Sequence, residues 1–343
     1  MRLKNVTISI FLVLFISVVL LSGCSNNAKQ SSQESNNEGQ KIVLKLGTNT
    51  APSHPENKAA AKFAEIVKEK TNGQVEIQVF DSAKLGDHKE RLEGLRMGTV
   101  DMTTTSVGYM ATYEKVMTIF EMPYLFKDKA HEFRVYDGEV GKDIDNLLQK
   151  HGFRVLAFFD MGARQLTNNV RPVAKPEDIK GLKIRVPDTE SSIDGLRAMG
   201  ASPTPMAFSE LYMALQQKTV DGQENPFSII DSSKFYEVQK YLSLTNHQLF
   251  AQLLLIGEKS WEKLSPEHQK IIMNAAKEAE KYEREIMQND ENNLLSTLKQ
   301  KGMKVNEVDI KAFQEMVKPL REQYIQKYGQ QAKDFFDKID KVQ

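Results

Sequence analysis

Two polar residues, Arg185 and Asn225, end apolar stretches and carry groups suited to hold an anion. Arg185 lies in Lys183–Pro187, an extended segment in which apolar and charged residues alternate and the final proline ends the strand because it has no N–H to donate. A planar guanidinium offers a carboxylate two parallel bonds, which a lysine cannot copy. Asn225 offers both a donor and an acceptor. The pair predicts a carboxylate site, and a structural ion pair of Arg185 with an acidic neighbour is the alternative.

An internal repeat predicts where these side chains lie. Glu90–Asp101 (ERLEGLRMGTVD) matches Glu210–Asp221 (ELYMALQQKTVD), and each copy reads as a helix, a turn and a strand. The strands end in small polar residues, Thr103–Ser106 in the first copy and Gln223–Asn225 in the second. Ligands of open α/β sheets bind at the carboxyl ends of strands. Two similar α/β halves with polar strand ends therefore predict two lobes that face one cleft.

Longer segments resemble one family. GLKIRVP, GASPTPMAFSELYMALQQKTVDGQENP, the upstream GARQLTN and the downstream KFYEVQKYLSLTNH are similar to the solute-binding proteins of TRAP transporters, the extracytoplasmic receptors of sodium-coupled organic-acid importers. The resemblance runs from about Lys45 to the C-terminal helices. It implies an α/β fold like that of periplasmic binding proteins, with two α/β lobes around a ligand cleft, hinge strands between the lobes and a long helix across both.

The resemblance implies further ligand contacts on the side of Arg185. Arg164 matches a second arginine that in the family reaches the carboxylate or its neighbouring hydroxyls. Without ligand, both guanidiniums are expected to be unpaired in a wet, open cleft. Asn225 would order the carboxylate, and Phe208 matches an aromatic residue that packs against the ligand, with an ordinary core phenylalanine as the alternative.

A loop between the first strand and the first helix is expected to present two more contacts. Asn49 matches a polar ligand contact of the family. His54 lies in the same loop, and a solvated residue at the helix start is the alternative for it. Ser53 and Glu56 predict a capping box where this helix begins.

The remaining predicted contacts bear on the identity of the ligand. His88 and Ser106 match positions at which sialic-acid-binding relatives carry acidic contacts, which argues against that ligand. With Asn49 and His54 they suit a hydroxylated sugar acid, such as a uronate or an aldonate. A four-carbon dicarboxylate is the alternative, because two arginines suit two carboxylates, although Lys89 is the only further cation expected at the far end of the site.

The first 40 residues predict export and anchoring. Arg2 and Lys4 precede an apolar run that is too short to span a bilayer comfortably, followed by LSGC, which resembles a lipobox. Residues 1–23 are therefore predicted to be a lipoprotein signal peptide, and residues 24–40 a lipidated Cys24 with a flexible tether. An uncleaved anchor helix is the alternative. The expected location is outside the cytoplasm, on the outer face of the cell membrane.

The remainder of the chain is long enough for two lobes with separate cores. Lobe I is predicted to comprise residues 41–163 and 251–290, and lobe II residues 164–250 and 291–343. The resemblance implies the small and large membrane subunits of a TRAP permease as partners, and a monomeric receptor is expected. The formal net charge of zero predicts no positive electrostatic field that would attract nucleic acid.

Enzyme chemistry is not predicted. The six histidines show neither H-x-x-x-H nor H-E-x-x-H spacing, and the sequence has no G-x-S-x-G elbow and no Gly-rich phosphate loop. Cys24 is the only cysteine, which removes disulfide and metal-cluster interpretations. No cofactor and no metal are expected. A sensor subunit that presents ligand to a membrane kinase would share every residue named above.

Overall fold

The computed structural model describes residues 41–343, except for the side chain of Asn292. The predicted signal peptide, Cys24 and the tether lie outside these residues. Within residues 41–343, no helix has both the length and the apolar character needed to cross a membrane.

Nine strands form one mixed sheet in the described part of the chain. The strands are β1 (Ile42–Gly47), β2 (Val75–Phe80), β3 (Met102–Ser106), β4 (Phe153–Asn168), β5 (Lys183–Val186), β6 (Ser202–Pro205), β7 (Gly222–Asn225), β8 (Tyr241–Gly257) and β9 (Lys304–Asn306). Their order is β2-β1-β3-β8-β4-β7-β5-β6, and β9 pairs with β8. The sheet therefore holds the parallel strands of both repeat copies on either side of the long central pair β8 and β4.

Helices occupy most of the connections between these strands. They are α1 (Pro55–Lys70), α2 (His88–Met97), α3 (Lys129–Asp137), α4 (Glu139–Gln149), α5 (Pro176–Ile179), α6 (Glu190–Ala198), α7 (Leu211–Gln216), α8 (Phe227–Ser232), α9 (Glu258–Trp261), α10 (Pro266–Gln300), α11 (Ile310–Val317) and α12 (Pro319–Lys341). Short 3₁₀ helices lie at Val107–Thr112, Lys115–Glu121, Phe208–Glu210 and Phe235–Glu237.

The two repeat copies share one backbone plan. In the first copy, Asp101 Oδ2 accepts a 2.9 Å bond from the backbone N–H of Lys45 on β1. In the second, Asp221 Oδ2 accepts a 2.8 Å bond from the N–H of Lys183 on β5. Each aspartate thus fixes the strand that follows its helix beside a neighbouring parallel strand. The predicted unit of helix, turn and strand is confirmed in both copies.

The strands β4 and β8 run antiparallel to each other and connect the two halves of the sheet. β3 pairs with β8, whereas β7 pairs with β4. The ladder between β4 and β8 shifts register between Asp160 and Ala163, where Gly162 has a φ of +82°. The two long strands therefore form the predicted connection of the two-lobed α/β fold.

The long helix α10 contacts both halves of the described chain. Ile272 lies in a core with residues of α1 and β1, and Leu298 lies in a core with residues of α7 and α8. Between these ends, the carboxylates of Glu280 and Glu283 each accept a 2.8 Å bond from a backbone N–H of β4. The predicted single long helix is confirmed, and it is fastened to the connecting strand.

Candidate functional site

A cavity lies at the polar ends of β3, β5 and β7. Seven of the eight residues predicted to contact a ligand line it: Asn49, His88, Ser106, Arg164, Arg185, Phe208 and Asn225. Residues of the β1 to β3 region form one side, called here the first wall, namely Asn49, Thr50, His88, Ser106 and Tyr109. The opposite side is called the second wall and consists of Arg164, Arg185, Phe208 and Asn225.

Arg185 is a buried cation without an acidic partner in the described part of the chain. It lies on β5, and only 1% of its surface is exposed. Its Nε and Nη2 both donate to the carbonyl oxygen of Met206, at 3.0 and 2.6 Å. Its Nη1 makes no hydrogen bond within residues 41–343, and no carboxylate of those residues lies within ion-pair distance. The alternative of a structural ion pair is therefore wrong.

The electrostatic surroundings of Arg185 favour an anion. Burial lowers the pKa of Arg185; Tyr109 opposes this shift, and the positive charge of Arg164 adds to it. The guanidinium carbon lies 5.9 Å from the centre of the Phe208 ring. A buried guanidinium is stabilised when negative charge is added beside it.

Arg164 is neutralised within the protein, which corrects the expectation that it is unpaired. Its Nη2 donates to Glu224 Oε1 at 2.8 Å and to the Glu224 carbonyl at 2.7 Å, and its Nε bonds Glu224 Oε2. The reason is the pairing of β4 with β7, in which Leu166 is opposite Glu224. This register brings the carboxylate to the side chain of Arg164, so the two arginines are not equivalent.

Glu224 remains ionised at neutral pH. Burial raises its pKa, but the charge of Arg164 and the hydrogen bond from His247 outweigh burial and hold the pKa at about 2. His247 Nε2 lies 3.2 Å from Glu224 Oε2. The three buried side chains form one compensated polar group at the back of the second wall.

Asn225 has the orientation expected from strand geometry. Its Nδ2 donates to Gln223 Oε1 at 2.5 Å, so residues two apart on β7 share a side, whereas Glu224 points to the other. Asn225 is buried and lines the cavity. Its amide can therefore meet a ligand beside Arg185.

His88 is a neutral side chain of the first wall. Burial lowers its pKa, the charge of Arg91 lowers it further, and the pKa lies at about 3. Its ring stacks on Tyr109 with the centroids 4.4 Å apart, and its Nδ1 lies 3.1 Å from Thr105 Oγ1. The imidazole therefore offers hydrogen bonds and an aromatic face, but no charge near neutral pH.

Asn49 also presents an unused polar atom. Its Nδ2 donates to Asp87 Oδ1, while its Oδ1 is buried and has no hydrogen-bond partner in the described part of the chain. Ser106 ends β3 and is buried beside the cavity. The first wall therefore carries neutral donors and acceptors.

His54 does not line the cavity, which corrects its predicted position. It is fully buried, and its Nδ1 accepts a 3.1 Å bond from the N–H of Glu56. His54 itself, rather than Ser53, is the N-cap of α1. Burial, with a smaller contribution from Lys58, lowers the pKa of His54 to about 3. It is a neutral helix cap and not a solvated residue.

Six lining residues were not among the predicted contacts. They are Thr50, Tyr109, Pro187, Ile229, Phe250 and Gln252. Tyr109 belongs to an apolar and aromatic stretch, a composition more typical of a core than of a ligand site. Gln252 pairs with Ser106 across β8 and β3. A glutamine inside the apolar run Phe250–Ile256 was the signal in the sequence that could have identified it.

Comparison with known proteins places this site in a family context. The sequence model of the DctP family, described as bacterial extracellular solute-binding protein family 7, matches residues 46–327. The 2,3-diketo-L-gulonate-binding periplasmic protein YiaO of Escherichia coli strain K12 is 34% identical over 345 residues, covering 100% of both chains.

Solved structures share the fold over nearly the whole described chain. A TRAP periplasmic solute-binding protein from Polaromonas sp. JS666 bound to D-erythronate has 36% identity and a TM-score of 0.85, covering 88% of this chain and 99% of that one. The corresponding protein from Sulfurospirillum deleyianum DSM 6946 with bound succinate has 32% identity, a TM-score of 0.84, and the same shares of 88% and 99%. The chain therefore belongs to the DctP family of extracytoplasmic solute-binding proteins, the receptors of TRAP transporters.

Proposed function

We propose that this receptor captures a sugar acid, such as an aldonate or a uronate, and delivers it to the small and large membrane subunits of a TRAP permease. The observation that carries the proposal is Arg185, a buried guanidinium that lines the cavity and has no acidic partner among the described residues. Leaving a charge buried and unpaired is unfavourable. A ligand carboxylate would supply the anion through charge-assisted hydrogen bonds.

The second wall would hold the carboxylate. Arg185 Nη1 is free of protein partners within residues 41–343 and would donate to one carboxylate oxygen, while the Asn225 amide would order the other. Arg164 would contribute a donor near the neighbouring hydroxyl without adding net charge, because Glu224 compensates it. Phe208 would pack against the carbon chain.

The first wall would meet the hydroxyls. Asn49 Oδ1 is an unused acceptor, and neutral His88 and Ser106 can each donate or accept. Hydroxyl groups need such paired donors and acceptors. No further cation is found among the described lining residues, so this wall is a poor site for a second carboxylate.

The charge balance favours a ligand with one carboxylate over a C4-dicarboxylate. Among the described lining residues, two arginines are positive, and Glu224 directly behind Arg164 cancels one of them. One uncompensated positive charge matches one carboxylate. Lys89, the candidate third cation, is bonded to Asp188. The succinate-bound relative makes a dicarboxylate the alternative to be tested.

We also propose the arrangement that surrounds this site. Residues 1–23 would be removed as a signal peptide, and Cys24 would be lipidated to hold a monomeric receptor on the outer face of the membrane. Lobe I would comprise residues 41–163 and 251–290, and lobe II residues 164–250 and 291–343. The sequence LSGC supports the anchor, and the connecting strands β4 and β8 support the division.

A thermal-shift panel tests the proposal. D-Erythronate, D-glucuronate, 2,3-diketo-L-gulonate and succinate are compared with erythritol, which has the hydroxyls but no carboxylate. A ligand at about 100 times its Kd stabilises the folded protein by about 2.7 kcal/mol, so a sugar acid is expected to raise Tm by several degrees. Erythritol is expected to have no effect. A larger shift with succinate than with any sugar acid would reject the preferred ligand, and no shift with any acid would reject acid capture.

A further inference from the structure

One carboxylate, that of Asp87, bonds to residues on both sides of the cavity. Its Oδ1 accepts a 2.7 Å bond from the N–H of His88 and a bond from Asn49 Nδ2. Its Oδ2 accepts bonds from the N–H and the hydroxyl of Ser209, at 3.2 and 3.1 Å. The side chain of Asp87 is 12% exposed.

The partners of Asp87 adjoin the residues proposed to touch the ligand. Asn49 and His88 belong to the first wall. Ser209 follows Phe208, whose ring lies beside the Arg185 guanidinium in the second wall. Asp87 does not itself line the cavity of the two walls. It is therefore placed to act on the ligand through its neighbours.

We infer that Asp87 is a positioning residue that joins the two walls. While its bonds to Ser209 are made, Asn49 and Phe208 are held in the positions in which they enclose the ligand. This inference rests on the proposed function, because it concerns the same ligand site. The carboxylate is ionised at neutral pH: burial raises the pKa of Asp87, but neighbouring His88 and three hydrogen-bond donors bring it to about 2.

A second link between the walls differs from Asp87 in its exposure. Lys89 is paired with Asp188, but their side chains are 52% and 51% exposed. Exposed ion pairs contribute little, and salt screens them. Asp87 is the less exposed link, since its side chain is 12% exposed and its bonds to Asn49 and His88 are partly buried, although its bonds to Ser209 lie at the exposed rim.

The variant Asp87→Asn tests the bonds of this side chain to Ser209 separately from its capping of α2. An amide has one acceptor oxygen, so it can accept on the side of α2 or on the side of Ser209, but not on both. Asparagine is as good an N-cap as aspartate, so the start of α2 is retained. The Kd for D-erythronate is expected to rise about tenfold or more, mainly through faster dissociation, because a charge-assisted bond across the cavity is lost.

The matched control is Asp128→Asn. Asp128 caps α3 by accepting a 2.7 Å bond from the N–H of His131, and it does not line the cavity. The control is expected to change Tm as much as Asp87→Asn does while leaving the Kd within about twofold of the wild-type value. Equal effects of the two substitutions on Kd would reduce Asp87 to an ordinary cap and overturn the inference.

Amide hydrogen exchange at Ser209 tests the link without any ligand. In the wild type this N–H is bonded to Asp87, and in Asp87→Asn its exchange is expected to become about tenfold faster or more. Unchanged exchange would overturn the inference even if sugar acids bind. Failure of the wild type to bind any acid of the panel would reject the proposed function, whereas the exchange result would still decide the role of Asp87.

Ser209→Ala gives a second, milder variant. It removes the 3.1 Å hydroxyl bond and keeps the bond from the backbone N–H, so the Kd for D-erythronate is expected to rise only about threefold. In the double variant with Asp87→Asn, the two effects should be less than additive because both act on one contact. Full additivity would contradict a direct link between the two side chains.

Discussion

Each repeat copy, taken together with the parallel strand that its aspartate fixes, holds a buried arginine near the strand ends, and the two arginines are used differently. Gly47 on β1 and Arg185 on β5 occupy equivalent register positions, since Gly47 pairs with Thr103 and Arg185 with Gln223. A Cβ atom at Gly47 would lie 2.4 Å from Cδ of Arg91. Glycine in the first copy therefore leaves room for an arginine supplied by helix α2 instead of by the strand.

Every guanidinium nitrogen of Arg91 has a hydrogen-bond acceptor, whereas one nitrogen of Arg185 has none within residues 41–343. Arg91 is 0% exposed, and its three nitrogens donate to Thr103 Oγ1, the Gly86 carbonyl and the Thr104 carbonyl at 2.6, 2.6 and 3.0 Å. Arg185 lines the cavity and bonds a single carbonyl, and its Nη1 has no hydrogen-bond partner among the described residues. Burial alone therefore does not distinguish a structural arginine from a binding arginine; the unsatisfied nitrogen does.

The substitution Arg185→Met should have the largest effect on binding. It keeps much of the apolar volume but removes the charge, so a captured carboxylate would be buried without a cation. The expected loss is about 3–5 kcal/mol, or about two to three and a half decades in Kd. The Tm of the ligand-free protein should change little, because an unpaired charge is removed. Calorimetric titration that gave a Kd within threefold of the wild-type value would contradict this assignment.

The substitution Arg91→Met should have the opposite profile. Three acceptors, two of them buried, lose their donor, and the free energy of unfolding is expected to fall by about 3 kcal/mol or more. Urea denaturation of the two arginine variants side by side measures the difference. If Arg91→Met were as stable as Arg185→Met, the contrast between the two copies would be wrong.

Glu224 provides a test of the difference between Arg164 and Arg185 within the second wall. Its pKa of about 2 lies below the ordinary value of 4.5, so its ionised form stabilises the folded state above pH 4.5, and this contribution is lost as the pH falls towards 2. The difference in unfolding free energy between the wild type and Glu224→Gln should therefore shrink by on the order of 3 kcal/mol from pH 5 to pH 2. A pH-independent difference would show that Arg164 does not depend on this carboxylate.

The smallest effect on binding is expected from a change of pH near neutrality. Arg185 and Glu224 remain ionised and His88, with a pKa of about 3, remains neutral, so the Kd for D-erythronate should vary by less than about twofold from pH 5.5 to 8. Titration calorimetry at three pH values measures this. A steep loss of affinity above pH 6.5 would indicate that a protonated histidine binds the carboxylate, and the neutral first wall would be wrong.

The fold and much of the site could be predicted from local patterns. The matching T-V-D segments predicted that two strands end at one cleft. The alternation of apolar and polar residues predicted that Arg185 and Asn225 lie at strand ends. The resemblance to TRAP receptors added Arg164 and Phe208, which line the same cavity.

What could not be predicted depends on contacts between distant segments. Nothing near Arg164 in the sequence shows that Glu224 lies against it, because the register of β4 and β7 decides this. The role of His54 was predicted wrongly because serine is the more usual helix cap. In the structure the buried imidazole of His54 caps α1 instead of Ser53. The bonds of Asp87 to Ser209 join residues 122 positions apart.

The most direct measurement is a crystal structure of the protein with D-erythronate. The account predicts a carboxylate oxygen within hydrogen-bond distance of Arg185 Nη1, with Arg164 still paired to Glu224 and the hydroxyls directed at Asn49 and His88. A complex in which the carboxylate lies away from Arg185, or in which Arg185 turns to a protein carboxylate, would contradict it.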